Sequence, residues 1–246
     1  TTKDLKNEKV LSAKDSITVN KLENSGKILT GKDLVVKDNL INSSKIEAIG
    51  NIEVSENVLN TGDILTNGSF SAKDTKTTKS LVAKEGISVN NLDSAGIITT
   101  SGNLNITGDF KNKAQVLTNK ELNVKGRLEN SGNIQAIDKI RVLKNVLNSG
   151  EILTNGSFTA KDINSKKLVA LKGISVNNLK NDETIATNEN LDIAGNFENK
   201  GKVSTNKKLN IGGRLENIGD IQALDNILVK ESTLNKGNIL TNGFFT

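Results

Sequence analysis

An all-β fold, a right-handed parallel β-helix (solenoid), is predicted by three features of this sequence. A unit of 16 to 18 residues recurs from end to end. Within each unit apolar and polar residues alternate with a period of two, the signature of strands buried on one face. Asparagine returns at one fixed place in unit after unit.

The repeat comes first, because it decides the fold. LENSGKILT (Leu22 to Thr30) returns as LINSSKIEA from Leu40, LNTGDILT from Leu59, LENSGNIQA from Leu128 and LENIGDIQA from Leu215. Coil starts fall at Leu5, Leu22, Leu40, Val58, Thr75, Leu92, Phe110, Leu128, Val146, Ile163, Leu179, Phe197, Leu215 and Thr233, about 14 coils. Those at Thr75 and Ile163 are placed to within one residue. A longer period lies above the coil. VLNTGDILTNGSFSAKD from Val58 returns from Val146, and GISVNNL at Gly86 returns at Gly173, so the super-repeat is 87–88 residues.

Counting from zero at each coil start, apolar residues occupy offsets 0, 6, 12 and 14. Three short strands per coil leave no antiparallel hairpin. Stacking each coil on the last puts like residues above one another in parallel sheets. Right-handedness follows from the rule for parallel crossovers. Fourteen coils about 4.8 Å apart would make a rod roughly 65 Å long.

Offset 2 is asparagine in eleven of the fourteen coils: Asn7, Asn24, Asn42, Asn60, Asn112, Asn130, Asn148, Asn181, Asn199, Asn217 and Asn235. Thr77, Ser94 and Ser165 are the exceptions. The offset shares parity with the buried positions, so these amides are expected inside, each bonded to the one above and below. Offset 4 is often glycine (Gly26, Gly62, Gly96, Gly132, Gly150, Gly201, Gly219, Gly237), expected to allow a bend or a positive φ. Offset 8 is Thr or Ala throughout, expected as a small inward residue at a tight corner. Volumes compensate between offsets 12 and 14: Phe70 is followed by Ala72, and Phe158 by Ala160.

Composition narrows the function. Hydrophobic residues are 35% and aromatics 2%, so the core must be thin and aliphatic. With no Cys and no His, the chain has no thiol nucleophile, no disulfide, and neither of the commonest metal ligands. The net charge of +5 is scattered along the chain and reads as a solvated surface. No apolar run is long enough to span a membrane, and no signal peptide is visible at Thr1. The chain is therefore expected to be a single continuous solenoid segment, 1–246, cut from a longer rod.

The recurrent L-x-N-x-G-x-I-x-A/T units, such as Leu128-Asn130-Gly132-Ile134-Ala136, with I-x-V following at Ile140 and Val142, resemble the filamentous-haemagglutinin-like repeats of large bacterial exoproteins. The resemblance covers essentially the whole chain. It implies a secreted protein of the bacterial cell surface, exported by two-partner (type V) secretion through an outer-membrane transporter. Such proteins act in virulence as adhesins or as stalks of contact-dependent inhibition effectors, projecting a binding or toxic end. The expected partners are a host or bacterial cell-surface receptor or glycan. No catalytic, cofactor-binding or metal residue transfers with the resemblance.

Sugar-active β-helices use carboxylates on long loops, and no coil here carries an insertion. The alternative to a stalk is thus a carbohydrate-binding or carbohydrate-active protein working through a side face. Gly212-Gly213 is the only Gly pair and lacks the aspartates of a calcium nonapeptide. No Gly-rich phosphate loop and no basic face interleaved with aromatics is present, so neither nucleotide nor nucleic acid is expected as a ligand. The Thr residues of an ice-binding face would point outward, whereas those here share parity with buried Ile. One outward feature is unusual: Leu59, Leu65, Leu147, Leu153, Leu234 and Leu240 stand at odd offsets, expected as a lateral contact. Uncapped coil edges also predict end-to-end or lateral self-association.

Overall fold

A computed structural model describes residues 2–246, and all secondary structure among them is β. The chain divides into two compact units, Thr1–Val124 and Lys125–Thr246. Both are parallel β-solenoids with three faces per coil. In one coil of the first unit the faces are the strands Leu40–Asn42, Lys45–Ala48 and Ile52–Val54.

Register fixes the stacking. On the second face of the first unit Ile28, Ile46, Ile64, Leu81, Ile98 and Val116 lie one above another. In the second unit the same column is Ile134, Ile152, Leu168, Ile185, Val203, Ile221 and Ile239. The third face of the first unit stacks Ile17, Leu34, Ile52, Phe70, Ile87, Leu104 and Leu122. Most of these side chains are at most 2% exposed, so the core is a set of aliphatic columns with an occasional Phe. Phe70 and Phe158 are fully buried, and Ala72 and Ala160 beside them are half-buried. The coil starts at Thr75 and Ile163 are confirmed: Thr75 sits between Val58 and Leu92, and Ile163 between Val146 and Leu179.

Two expectations are corrected. The offset-4 glycines lie at bends, as at Gly26, Gly62 and Gly96, but do not adopt positive φ; only Gly86 and Gly173, with φ of 153° and 107°, do so among the described residues. Offset 4 favours glycine for a different reason. A Cβ on Gly26, Gly62 or Gly96 would collide with the carbonyl oxygen of Lys9, Ser44 or Lys79 in the coil beneath. Close approach of two backbones, not an unusual dihedral, excludes the side chain.

The second correction concerns strand length. Coils of 18 residues turn the corner between the third and first faces with three residues outside the strands. Where the sequence is shorter, that turn disappears and the strand runs through the bend. Val36 and Leu40 are separated by such a turn, whereas Ala72 and Thr75 lie within the single strand Ser69–Thr77. The 16-residue coil from Ile163 to Leu179 has lost two residues. It is built from the longest strands, Phe158–Ala170 and Ile174–Thr187, with register shifts at Asn148/Glu151 and Ser165/Lys167.

Candidate functional site

The polar groups built into the coils form the most ordered chemistry of the molecule. In the first unit Nδ2 of Asn7, Asn24 and Asn42 donates to Oδ1 of Asn24, Asn42 and Asn60 at 2.7–2.8 Å, and Asn60 passes its hydrogen bond to Thr77 Oγ1 at 3.0 Å. In the second unit Asn130 donates to Asn148, and Asn148 to Ser165 Oγ. A second run links Asn181, Asn199, Asn217 and Asn235 at 2.7–2.8 Å. Each of these donations runs toward the C-terminal coil, so the amide dipoles add along each run.

Each Nδ2 also reaches backbone. Asn199 donates to Gly201 O at 3.0 Å in its own coil and to Asp220 O at 3.3 Å in the next. Of the predicted ladder residues Asn24, Asn42, Asn60, Asn112, Asn130, Asn148, Asn181, Asn199 and Asn217 are buried, and Asn235 is exposed. Asn112 holds its own corner through Ala114, whose N–H it accepts at 3.2 Å and whose carbonyl it binds at 2.8 Å.

The ladder breaks where serine replaces asparagine. Ser94 turns its hydroxyl to Gly96 O at 2.7 Å, and Ser165 accepts from Asn148 without reaching the coil above. Asn181 Oδ1 is therefore buried with no partner. Ser is too short to span the coil spacing, whereas an amide reaches with one end while its other end bonds back.

Two further polar systems were not anticipated. The inward Thr at offset 8 is a corner clamp: Thr118 Oγ1 donates to Gly102 O of the coil beneath at 2.8 Å and accepts from Lys120 N at 3.3 Å. Thr66 and Thr154 make the same pair of bonds, to Gly50 O with Gly68 N and to Asp138 O with Gly156 N. At the residue before several strands of the third and first faces, Asn or Asp accepts the N–H one coil up. Asp33 takes Asn51 N at 2.7 Å and Asn51 takes Ser69 N at 2.9 Å; Asn178 takes Asn196 N at 2.8 Å and Asn196 takes Arg214 N at 2.9 Å. Their outward parity made them look like ordinary surface residues. The signal was in the repeat: an Asx residue directly ahead of a strand.

Asp162 joins this corner system. Burial pushes its carboxyl up, but hydrogen bonds from the side chains of Asn178 and Asn177, the Asn178 N–H and nearby Lys161 together hold it below the usual range. Outward charges pair mainly between adjacent coils, as in Lys73–Glu56 at 2.9 Å and Lys79–Asp63 at 2.8 Å. In a second pattern Glu198 lies between Lys200 at 3.0 Å and Lys180 at 3.4 Å. The hydrogen bond from Lys200 leads the causes that lower Glu198.

The six outward leucines do not form one class. Leu59, Leu147, Leu234 and Leu240 are exposed, at 41%, 54%, 37% and 59%. Leu65 and Leu153 are half-buried, flanked by Glu47 and Val82 and by Gln135 and Val169. Leu59 has exposed Ile41 as its register partner, so a small apolar pair stands on the first face. The sequence reading missed a second apolar set. Where offset 8 is Ala, the next residue is often aliphatic and exposed, as at Ile49, Ile137, Leu171 and Leu224. Where it is Thr, the next residue is Asn, Ser or Gly.

Among the described residues no group of three or more His, Cys, Asp or Glu could hold a metal ion, and no helix is long and apolar enough to cross a membrane. Comparison with family models, with curated proteins and with solved structures finds no match to this chain.

Proposed function

We propose that this chain is a rigid segment of a secreted bacterial surface exoprotein, a stalk or adhesin shaft that holds a binding or toxic end away from the cell. The observation that supports the reading most is the nearest-neighbour construction. Backbone ladders, inward amides, corner hydroxyls and outward ion pairs all join a coil to the one next to it. Such an array can fold by adding coils in turn. A chain that leaves an outer-membrane transporter unfolded would then fold as it emerges. With no cysteine, it could not become trapped by a disulfide on the way.

In this reading a surface receptor or glycan on a host or a neighbouring bacterium is the partner of the whole exoprotein. The exposed leucines would serve lateral association. Changing Leu59, Leu147, Leu234 and Leu240 to Ser should leave the circular dichroism unchanged and lower any lateral association seen in sedimentation. Equal association in wild type and variant would remove that role.

Location is tested on intact cells of the source organism with antibody raised to the purified chain. Labelling of intact cells, abolished by external protease, is expected. Labelling only after lysis would overturn the proposal.

A further inference from the structure

We infer that the outer side of the third face in the second unit is a binding trough for an extended, uncharged saccharide chain. Two depressions of about 540 and 280 Å³ lie there and share Ser175 and Asp192, so they run together across the coils. Their floor is an outward column in which Thr159, Ser175, Asp192 and Asn210 are successive register partners. The floor is low because its first residues are small and because Gly173, with no side chain, lies beside it. The column passes through the shortened coil between Ile163 and Leu179.

The chemistry of the trough selects the ligand. The side chains of Ser157, Thr159 and Ser175 stand at least partly open to solvent. Asp192 Oδ1 accepts from Asn210 Nδ2 at 2.7 Å, leaving Oδ2 of Asp192 and Oδ1 of Asn210 for a ligand. Asn190 uses its Oδ1 on Lys208 N at 3.3 Å, which leaves its Nδ2. Lys172 and Lys230 balance Glu189 and Asp192 among the lining charges, so the trough favours no ion of either sign. Alternating donors and acceptors at fixed spacing suit vicinal hydroxyls. The rung spacing, about 4.8 Å, is close to the advance of one pyranose ring along an extended glycan.

A peptide strand is a poor occupant, because the backbone groups of this face are already paired with the coils on either side. The first unit repeats the column as Ser71, Ser88, Asn105 and Asn123, with Asn123 Nδ2 donating to Asn105 Oδ1 at 3.1 Å. Asp192 replaces the amide of Asn105 there and adds a carboxylate able to accept from two hydroxyls. Without an aromatic platform the affinity is modest, with a Kd of about 1 mM. The trough adds a binding activity to a segment whose proposed role is mechanical.

The test titrates the whole chain with neutral oligosaccharides, cello-, chito- and malto-oligomers among them, to about 10 mM and reads binding by NMR. Binding is expected, with amide shifts centred on Ser175, Asp192 and Asn210. Ser175→Leu, an outward substitution that fills the trough, should weaken binding at least about tenfold. Ser204→Leu on the second face should bind like wild type, and both variants should keep the wild-type circular dichroism. No shifts with any of the oligosaccharides, shifts centred elsewhere, or unchanged binding by Ser175→Leu would overturn the inference. The antibody test of surface location is unaffected by any of these results.

Discussion

Replacing Asn199 by alanine would strip a hydrogen bond from each neighbouring coil at once. Asn181 Nδ2 would lose its acceptor, Asn217 Oδ1 its donor, and the Gly201 and Asp220 carbonyls one donor each. Orphaned buried polar groups are the costly case, so Asn199→Ala should lose about 3 kcal/mol in urea unfolding. Thr75 gives the opposite sign. It is 3% exposed in a column otherwise apolar, between Val58 and Leu92, and its hydroxyl has no partner. Thr75→Val keeps the shape and should gain about 1 kcal/mol in the same assay. Asp162 supplies a pH dependence. Its folded pKa lies below the unfolded value, so its contribution is complete above about pH 4 and fades as pH falls through the folded value. Thermal melts from acid to neutral pH should show wild type losing stability at the acid end more steeply than Asp162→Asn. Identical slopes would remove that assignment.

A face of the solenoid stands or falls on how closely one coil approaches the next. Gly62 lies against the Ser44 carbonyl with no room for a methyl group. Gly62→Ala must push two coils apart at that corner and should cost about 2 kcal/mol or more, read by chemical denaturation. Much of this scale was legible beforehand. Period-two alternation placed Ile28, Ile46 and Ile64 in one column, and the recurrence of Asn at one inward offset foretold a ladder. The rest was hidden for physical reasons. Glycine at offset 4 has two explanations, dihedral freedom and close approach, and a sequence does not separate them. The bonds of Asp33, Asn51 and Asn178 run from outward side chains to backbone N–H groups, so inside–outside parity gives no sign of them. The small inward Thr read as a question of volume, whereas Thr118 shows a hydroxyl with one donor and one acceptor bond at the corner. The depressions on the third face went unread because they depend on small residues, Ser175 and Gly173 among them, meeting across coils of unequal length.

For the chain as a whole, the charges are distributed as the sequence suggested. Ion pairs such as Lys32–Asp15 at 2.6 Å and Lys207–Glu189 at 2.5 Å join adjacent coils at the surface. Exposed pairs of this kind contribute about 0–1 kcal/mol each, so resistance to unfolding must come from the buried columns and ladders. The breaks at Ser94 and Ser165 leave runs of coils linked by amides, separated by rungs where the inward ladder is interrupted and the corner bonds of Thr118 and Asn178 remain. Coils that depend only on their neighbours should come apart in groups rather than all at once. The most direct test is to pull a single molecule by its two ends in an optical trap. Extension should proceed in discrete steps, each a multiple of about 6 nm for one coil of 18 residues drawn out straight. Featureless lengthening at low force would contradict a stack of coils held to one another by buried columns and ladders.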